Sequence, residues 1–379
     1  MSMPPPARVG DPVAEIDTPA LVIDLDAMER NIARLAAFAA KTGVKLRPHA
    51  KTHKSPDIGR RQIAAGAVGL CCQKVSEAEA MVAGGIGDVL VSNEVFGARK
   101  LDRLASLSRR ATVAVCADNV EAIEAIAAAA GRQGVRITTL VEIDVGANRC
   151  GVAPGEPAVV LARLIASKPN LKFGGLQAYQ GRAQHLRTIA ERRAAIDHAI
   201  EVTRRTVELL EATGLPPAIV GGAGTGTYDL EGSSGVYTEL QAGSYVFMDA
   251  DYARNKRADG RPYDTFEHAL FVIATVMSLP VAERAVIDAG LKTFATDAGM
   301  PEPRGLDGAS YIRPSDEHGI IDLTKSNHRL ALGDRVALIP GHCDPTVNLH
   351  DWYVGVRGYG TPNAHVECLW PVAARGAIF

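Results

Sequence analysis

The segment RPHAKTHK holds two lysines, Lys51 and Lys54, in a setting that could support amine chemistry. A lysine forms a Schiff base with a carbonyl through its neutral amine, and both burial and nearby cations favour that neutral form. Lys51 has such neighbours in Arg47, His49 and His53. The residues predict either a Schiff-base lysine, at Lys51 or at Lys54, or a solvated basic loop.

The segment GGAGTGT, residues 221–227, directly follows an apolar run. Consecutive glycines let main-chain N–H groups approach a phosphate, and Thr225 and Thr227 add hydroxyl donors. The segment AGSY, residues 242–245, ends the next predicted strand and would face the same phosphate. A plain strand-to-helix loop is the alternative, because the sequence has neither a P-loop nor a GxGxxG dinucleotide fingerprint.

His342 and Asp344 stand two residues apart in PGHCDPTVNLHDW, so on an extended segment both side chains would point the same way. An imidazole and a carboxylate leave coordination positions open for water or substrate, and they suit Mn²⁺, Mg²⁺ or Zn²⁺. The alternative is a chance HxD. His350 and Asp351 form a second, weaker candidate pair.

His185 lies six residues beyond Tyr179, in the loop after the sixth predicted strand, where it could serve as a general base near neutral pH. The alternative is an ordinary surface histidine. We interpret five further histidines as structural, since no partner for them can be identified: His198, His268, His318, His328 and His365.

Short β-rich runs alternate with longer amphipathic segments between about residues 45 and 245, and this rhythm predicts the elements that position these side chains. Eight strands are predicted, at residues 45–51, 69–73, 88–94, 112–118, 136–145, 171–179, 217–222 and 237–245. Eight strands alternating with helices predict a (β/α)8 barrel, whose active site forms at the carboxyl ends of the strands. Polar side chains stand at those ends, including Lys51, Gln73, Arg149 and Tyr179.

After about residue 265 the pattern changes to β-branched runs without long helices, which predicts an antiparallel β domain. We therefore divide the chain into a (β/α)8 barrel at 26–260, a β domain at 261–379 that carries the HxD pair, and an N-terminal segment at 1–25. The strand ALVIDL in that segment is expected to pack with the β domain.

The composition favours a small-molecule partner. The chain has 379 residues, 47% of them hydrophobic, and a net charge of -2, which gives no electrostatic footprint for nucleic acid or membrane. No apolar run is long enough to cross a bilayer, and the N-terminus lacks a signal-peptide pattern, so we expect a soluble, cytoplasmic protein. The six scattered cysteines are expected to be reduced.

Eight segments together resemble the D-threonine aldolase family, which is grouped with alanine racemase and eukaryotic-type D-serine dehydratase among barrel-fold pyridoxal phosphate enzymes. The similarity runs over nearly the whole chain and keeps the segments in order. They are TPALVIDLDAMERNI, RPHAKTHK, CCQKVSEAEAM, VEIDVGANRCGV, GLQAYQG, GGAGTGT, VYTELQAGSYVFMD and PGHCDPTVNLHD.

The resemblance implies a role for each matching position. It assigns the Schiff base to Lys51 rather than Lys54, a divalent metal, commonly manganese, to His342 and Asp344, and the base to His185 or to a water on the metal. It also implies a homodimer with the site near the subunit interface. The remaining cofactor contacts that we expect are Gln73, Arg149, Tyr179, Gly224, Thr225, Gly226, Gly243 and Ser244. Gln180 departs from the family, because some aldolases carry histidine there.

The expected activity is metal-assisted retro-aldol cleavage of D-threonine and other D-3-hydroxy amino acids to glycine and an aldehyde. At the position where this chain has HxD, the motif of related dehydratases resembles HxC. Asp344 therefore favours the aldolase over a D-serine or D-3-hydroxyaspartate dehydratase. A racemase is disfavoured because no second-base tyrosine can be placed. A noncatalytic pyridoxal phosphate carrier is disfavoured because such a protein resembles the barrel alone.

Overall fold

A computed structural model describes residues 4–379 of the chain. Its first part contains eight parallel strands arranged as a barrel, in the spatial order β2-β9-β8-β7-β6-β5-β4-β3. These are β2 (Lys45–Leu46), β3 (Leu70–Cys72), β4 (Asp88–Glu94), β5 (Thr112–Ala117), β6 (Ile137–Glu142), β7 (Leu171–Gln177), β8 (Ile219–Gly222) and β9 (Glu239–Leu240). Main-chain hydrogen bonds close the barrel between its first two strands, from Val68 N to Leu46 O and from Cys71 N to Pro48 O.

Helices cover the outside of the barrel. They are α1 (Leu25–Thr42), α2 (Pro56–Ala64), α3 (Val75–Ala83), α4 (Ala98–Leu107), α5 (Val120–Gln133), α6 (Glu156–Ser167), α7 (Ile189–Ala212) and the short α8 (Tyr228–Gly232) and α9 (Ala250–Ala253). Their ends follow local chemistry: the side chain of Asn119 caps α5, which stops at Gly134 in the left-handed conformation. The (β/α)8 barrel predicted from the strand rhythm is confirmed.

The barrel has two apolar layers, because alternate strand residues face opposite sides. Residues such as Val89 and Val91 pack outward against the helices, within the larger buried cluster. Inside lies a small cluster of Cys71, Leu90, Ala114, Cys116 and Leu140. This plug leaves the polar ends of the strands to form the opening above it.

The second part is built on antiparallel strands after residue 269. They are β10 (Leu270–Val281), β11 (Arg284–Ile287), β12 (Glu302–Pro303), β13 (Ser310–Pro314), β14 (Gly319–Asp322), β15 (Arg335–Ile339), β16 (Trp352–Arg357) and β17 (His365–Pro371), with the short helix α10 (Cys343–Val347). An early strand, β1 (Ala20–Asp24), lies between β10 and β16 in this sheet. Residues 1–3 of the predicted N-terminal segment lie outside the described residues.

The first and eighth barrel strands are shorter than predicted. β2 stops at Leu46, and Lys51 lies instead in a 3-10 turn, Ala50–Thr52, that follows Pro48. β9 stops at Leu240, and a second 3-10 turn occupies Ser244–Val246. Pairing continues irregularly past Leu46, because Pro48 has no N–H to donate while His49 N still donates to Ala242 O at 3.4 Å, and it ends where the 3-10 turn begins.

Within residues 4–379, every helix is too short or too polar to span a membrane. All six cysteines are free thiols, as expected.

Candidate active site

A cavity opens at the carboxyl ends of the barrel strands. Mostly polar side chains line it. They are His49, Lys51, Thr52, Gln73, Ser92, Arg149, Gln177, Tyr179, Ala223, Gly224, Thr225, Gln241, Gly243, Ser244 and Tyr252. The position agrees with the rule that barrel active sites form at this end.

Lys51 reaches this cavity, and its Nζ lies 3.3 Å from Oδ2 of Asp344 in the second part of the chain. The Asp344 carboxylate raises the pKa of Lys51, so this environment favours the charged amine. The expectation that neighbouring cations would favour the neutral amine is wrong. Burial lowers the pKa of His49 to about 3 and that of His53 to about 4, so these two imidazoles carry no charge at neutral pH.

Lys54, the rival lysine, points elsewhere. Its main chain has φ of 49°, and its buried Nζ donates to Oε1 of Glu77 at 2.8 Å. The other oxygen of Glu77 accepts from the main-chain N–H of Gln73 at 2.7 Å. Lys54 therefore fixes the start of α3 and the cavity residue Gln73.

His49 lies against Lys51 with a defined tautomer. Its Nδ1 accepts from the main-chain N–H of Lys51 at 3.3 Å, so the ring proton sits on Nε2. Nε2 lies 3.0 Å from Oε1 of Gln73 and 3.2 Å from the Ser92 hydroxyl. The neutral ring of His49 therefore lines the cavity in a fixed orientation.

The glycine segment after β8 forms a cradle that contains one hydroxyl without a hydrogen-bond partner. The Thr225 hydroxyl is buried and has no hydrogen-bond partner among the described residues. A Cβ on Gly243 would lie 2.6 Å from the Thr52 hydroxyl, so this position accepts only glycine without rearrangement. Gly226 does not line the cavity, and its N–H donates to Oε1 of Gln184 at 2.9 Å.

Arg149 and Tyr179 form one side of the cavity, with the guanidinium 5.5 Å from the centre of the tyrosine ring. Arg149 also lies 3.6 Å from the buried carboxyl of Glu142. Burial, helped by the neighbouring Glu94, raises the pKa of Glu142 to about 8. Glu94, Glu142 and Cys150 lie together. The guanidinium of Arg149 lies next to this group and supplies it with a positive charge.

Asp344 stands beside Lys51, and His342 acts on the charge of Asp344, although the pair does not lie on an extended segment as expected. His342 is the N-cap residue of α10, and Asp344 is in the first turn of that helix. Burial opposes ionisation of Asp344, yet Lys51 and His342 together hold its pKa well below the usual range. Nδ1 of His342 lies 2.8 Å from Oδ2 of Asp297, which leaves Nε2 free to bind a metal.

The second candidate metal pair does not come together as a site. Nε2 of His350 faces the carbonyl of Thr293 at 3.0 Å, and the Asp351 carboxylate pairs with Arg375 at 2.8 Å. Both side chains are thus engaged in separate contacts.

His185 ends a 3-10 turn, Gly181–His185, after β7. Its Nδ1 lies 2.7 Å from Oδ2 of Asp251, while more than half of the side chain is exposed. Its ring centre is 6.3 Å from that of Tyr252, which lines the cavity. His185 is therefore a neighbour of the cavity residue Tyr252, although it is not itself among the residues that line the cavity.

Sequence reasoning missed Asp251 and Asp297, the carboxylates that hold His185 and His342. Asp251 lies in the short helix α9 and Asp297 in an irregular segment, both far along the chain from the histidine they contact. The run MDADY after the eighth predicted strand carries two acids and was the available signal for Asp251. We find no comparable local signal for Asp297.

Comparison with known proteins gives matches over almost the whole chain. Residues 23–251 match the family described as "Alanine racemase, N-terminal domain", and residues 269–356 match the family described as "Putative serine dehydratase domain". The 3-hydroxy-D-aspartate aldolase of Paracoccus denitrificans (strain Pd 1222) is 49% identical, over 98% of this chain and 95% of that protein.

Two further relatives are D-threonine aldolases. The D-threonine aldolase of an Arthrobacter species is 45% identical, over 99% of this chain and 97% of that protein. The crystal structure of D-threonine aldolase from Filomicrobium marinum superposes with a TM-score of 0.95 at 50% identity, covering 99% of this chain and 100% of that one.

Proposed function

The chain belongs to the D-threonine aldolase family and is a lyase, and we propose that it cleaves the Cα–Cβ bond of D-3-hydroxy amino acids to give glycine and an aldehyde. One observation carries the proposal: the amine of Lys51, from the barrel, lies 3.3 Å from the carboxylate of Asp344, from the other part of the chain. A cofactor bound to Lys51 and a metal bound to His342 and Asp344 would therefore lie close enough to act on the same bound substrate.

The described residues fit pyridoxal phosphate. Lys51 would hold the aldehyde, and the open Thr225 hydroxyl with Gly224, Gly243 and Ser244 would hold the phosphate. Three side chains would border the ring: Gln73, Arg149 and Tyr179. Gly226 would shape the cradle through Gln184 rather than donate to the phosphate.

His342 and Asp344 would hold a divalent metal, with manganese our first choice and magnesium or zinc as alternatives. Bound together, the two groups supply an electron-withdrawing ring for the electrons of the broken bond and a Lewis acid for the substrate hydroxyl.

His185 would accept the proton of the substrate β-hydroxyl, and its support is its place next to the cavity residue Tyr252, with ring centres 6.3 Å apart. Loss of that proton is what lets the β-carbon leave as an aldehyde. A general base is typically worth about 10² to 10⁴ in rate, so His185→Ala should be folded, coloured and slow.

Product analysis tests the reaction. D-Threonine should give acetaldehyde and glycine, and 3-hydroxy-D-aspartate should give glyoxylate and glycine, each in equal amounts. A dehydratase is the second candidate, because residues 269–356 match a family described by that activity. It would instead give 2-oxobutanoate or oxaloacetate with ammonia, and those products would overturn the proposal.

A noncatalytic carrier of the cofactor would turn over neither substrate. We expect glycine formation to stop with a chelator and to return with added Mn²⁺, a result that a carrier cannot give. We further propose, from the family resemblance, that the enzyme is a homodimer with the site near the interface and is located in the cytoplasm.

A further inference from the structure

We propose that Asp251 is a positioning residue for His185: its carboxylate fixes the imidazole tautomer so that Nε2 is the free proton acceptor. This inference rests on the proposed function, because it concerns the base of the proposed reaction. It adds a residue that neither the motifs of the sequence nor the matched families assign.

The contact between the two side chains is short and directional. Nδ1 of His185 and Oδ2 of Asp251 are 2.7 Å apart, and only 6% of the Asp251 side chain is exposed. A carboxylate accepts hydrogen bonds and cannot donate them, so Nδ1 must carry the ring proton. The lone pair of the neutral ring then resides on Nε2, the nitrogen left for the substrate.

Two guanidinium groups keep the Asp251 carboxylate ionised. Its second oxygen, Oδ1, accepts from Nη2 of Arg187 at 2.5 Å and from Nη2 of Arg254 at 2.9 Å. Burial favours the protonated acid, but these bonds and the one from His185 hold the pKa of Asp251 below its usual range. Asp251 therefore remains an acceptor instead of taking a proton from the ring.

A closed ring of hydrogen bonds fixes the pair in place. Nη1 of Arg187 donates to Oδ1 of Asn255 at 2.9 Å, and Nδ2 of Asn255 donates to the carbonyl of Gln184 at 3.0 Å. Gln184 precedes His185 in the chain, which completes the ring through Asp251. The 3-10 turn carrying His185 is thus tied to α9 through Asp251 and to Asn255, just after that helix.

The same elements connect the pair to both halves of the site. The Gln184 side chain accepts from Gly226 N and donates to the hydroxyl of Thr227 at 2.8 Å, so it contacts the glycine segment. On the other side, the N–H of Asp251 donates to the carbonyl of Gly341 at 3.2 Å, directly before His342. Asp251 therefore sets the base relative to the cofactor cradle and the HxD pair.

The variant Asp251→Asn tests the inference in the holoenzyme. An amide can donate to Nδ1 and stabilise the opposite tautomer, in which Nε2 carries the proton and cannot act as a base. We expect kcat for D-threonine to fall by about 10- to 100-fold, with KM changed by less than about threefold and the visible cofactor band retained. Asp264→Asn, which removes the same charge from an exposed pair with Arg257, is the matched control and should keep wild-type kcat.

A double-mutant cycle separates positioning of His185 from a general structural role. In a His185→Ala background, Asp251→Asn should cause no further loss of kcat. An equal fractional loss in both backgrounds, or unchanged kcat in Asp251→Asn alone, would overturn the inference. Unchanged kcat in His185→Ala would overturn it too, whereas the proposed function fails only if the wild-type enzyme forms no glycine and aldehyde.

A measurement on the wild-type holoenzyme covers the case in which Asp251→Asn does not fold. With ¹⁵N-labelled imidazoles, the NMR signal that disappears in His185→Ala should show the Nδ1–H tautomer. The Nε2–H tautomer at that signal would contradict the proposal. Asp251→Glu retains a carboxylate, so it should recover part of the kcat lost in Asp251→Asn.

Discussion

Lys51 and Lys54 stand three residues apart and have opposite surroundings. Lys51 lies in the 3-10 turn and enters the cavity, whereas the positive φ of Lys54 turns its side chain toward Glu77. Glu77 is almost completely buried, so its charge depends on Lys54 for compensation. The first lysine is available for chemistry and the second stabilises the fold.

Substitution of each lysine by alanine should separate these roles. Lys51→Ala should remain folded and lose the visible absorption band of a covalently held cofactor. Lys54→Ala leaves a buried carboxylate uncompensated, which typically costs about 3–5 kcal/mol, so its free energy of unfolding should fall. Absorption spectra and denaturant titrations of both variants check this, and a retained band in Lys51→Ala would contradict the assignment.

Asp297 should act on the metal through His342. Its carboxylate accepts from Nδ1 and orients the ring, and loss of such a partner typically costs about 10–100-fold in metal affinity. Calorimetric titration of the metal-free protein with Mn²⁺ should show this weakening in Asp297→Asn. Asp307→Asn, an exposed position in the same domain, should bind Mn²⁺ like the wild type, and equal affinities for all three would rule out the role.

At the scale of elements, the short helix α8 joins the glycine segment to the barrel through a buried acid. Thr227 donates to Oε1 of Glu231 at 3.0 Å and accepts from Gln184 at 2.8 Å. Burial raises the pKa of Glu231 to about 8, so this carboxyl is protonated in the folded protein at neutral pH. The glycine segment is therefore supported by a neutral acid.

This acid should make stability depend on pH. The folded state holds the proton up to about pH 8, while an unfolded glutamate releases it near pH 4.3, so the free energy of unfolding falls as pH rises between these values. The slope can reach about 1.4 kcal/mol per pH unit for one group. Glu231→Gln is neutral throughout and keeps the acceptor for Thr227, so its loss of stability from pH 5 to pH 8 should be smaller. Denaturant titrations at several pH values measure this, and parallel curves would contradict it.

At the scale of the whole molecule, the barrel and the β sheet share several connections next to the site. The Tyr353 hydroxyl donates to the carbonyl of His53 at 2.7 Å, and Ala374 N donates to the carbonyl of Lys54 at 2.9 Å. Ala250 N, at the end of the barrel, donates to the carbonyl of Pro340 at 3.0 Å. Hydrogen bonds between the barrel and the β sheet thus fix the lysine segment and the HxD segment relative to each other.

These connections predict a single cooperative unfolding transition. Scanning calorimetry of the cofactor-free protein should give one peak with equal calorimetric and van't Hoff enthalpies. Two separated peaks would show that the barrel and the β domain unfold independently. Added pyridoxal phosphate should move the whole transition to higher temperature, because a ligand that binds only the folded state stabilises it.

The sequence by itself determined the barrel, the change to β structure after residue 265 and the glycine segment. These features depend on local periodicity and composition, which neighbouring residues encode. Its motifs also identified the HxD residues and the two lysines, although only the family resemblance chose between Lys51 and Lys54. The charge state expected for Lys51 was wrong, because it was judged from sequence neighbours whose charges are lost or paired in the fold.

Only the tertiary structure decided which distant groups meet. Asp344 approaches Lys51 across 293 positions of sequence. Asp251 reaches its histidine from the short helix α9, and Asp297 reaches its histidine from an irregular segment. No local pattern encodes such contacts, since they depend on how β2, α9 and α10 are brought together by packing. The environment of each ionisable group follows from that packing, and so does its chemistry.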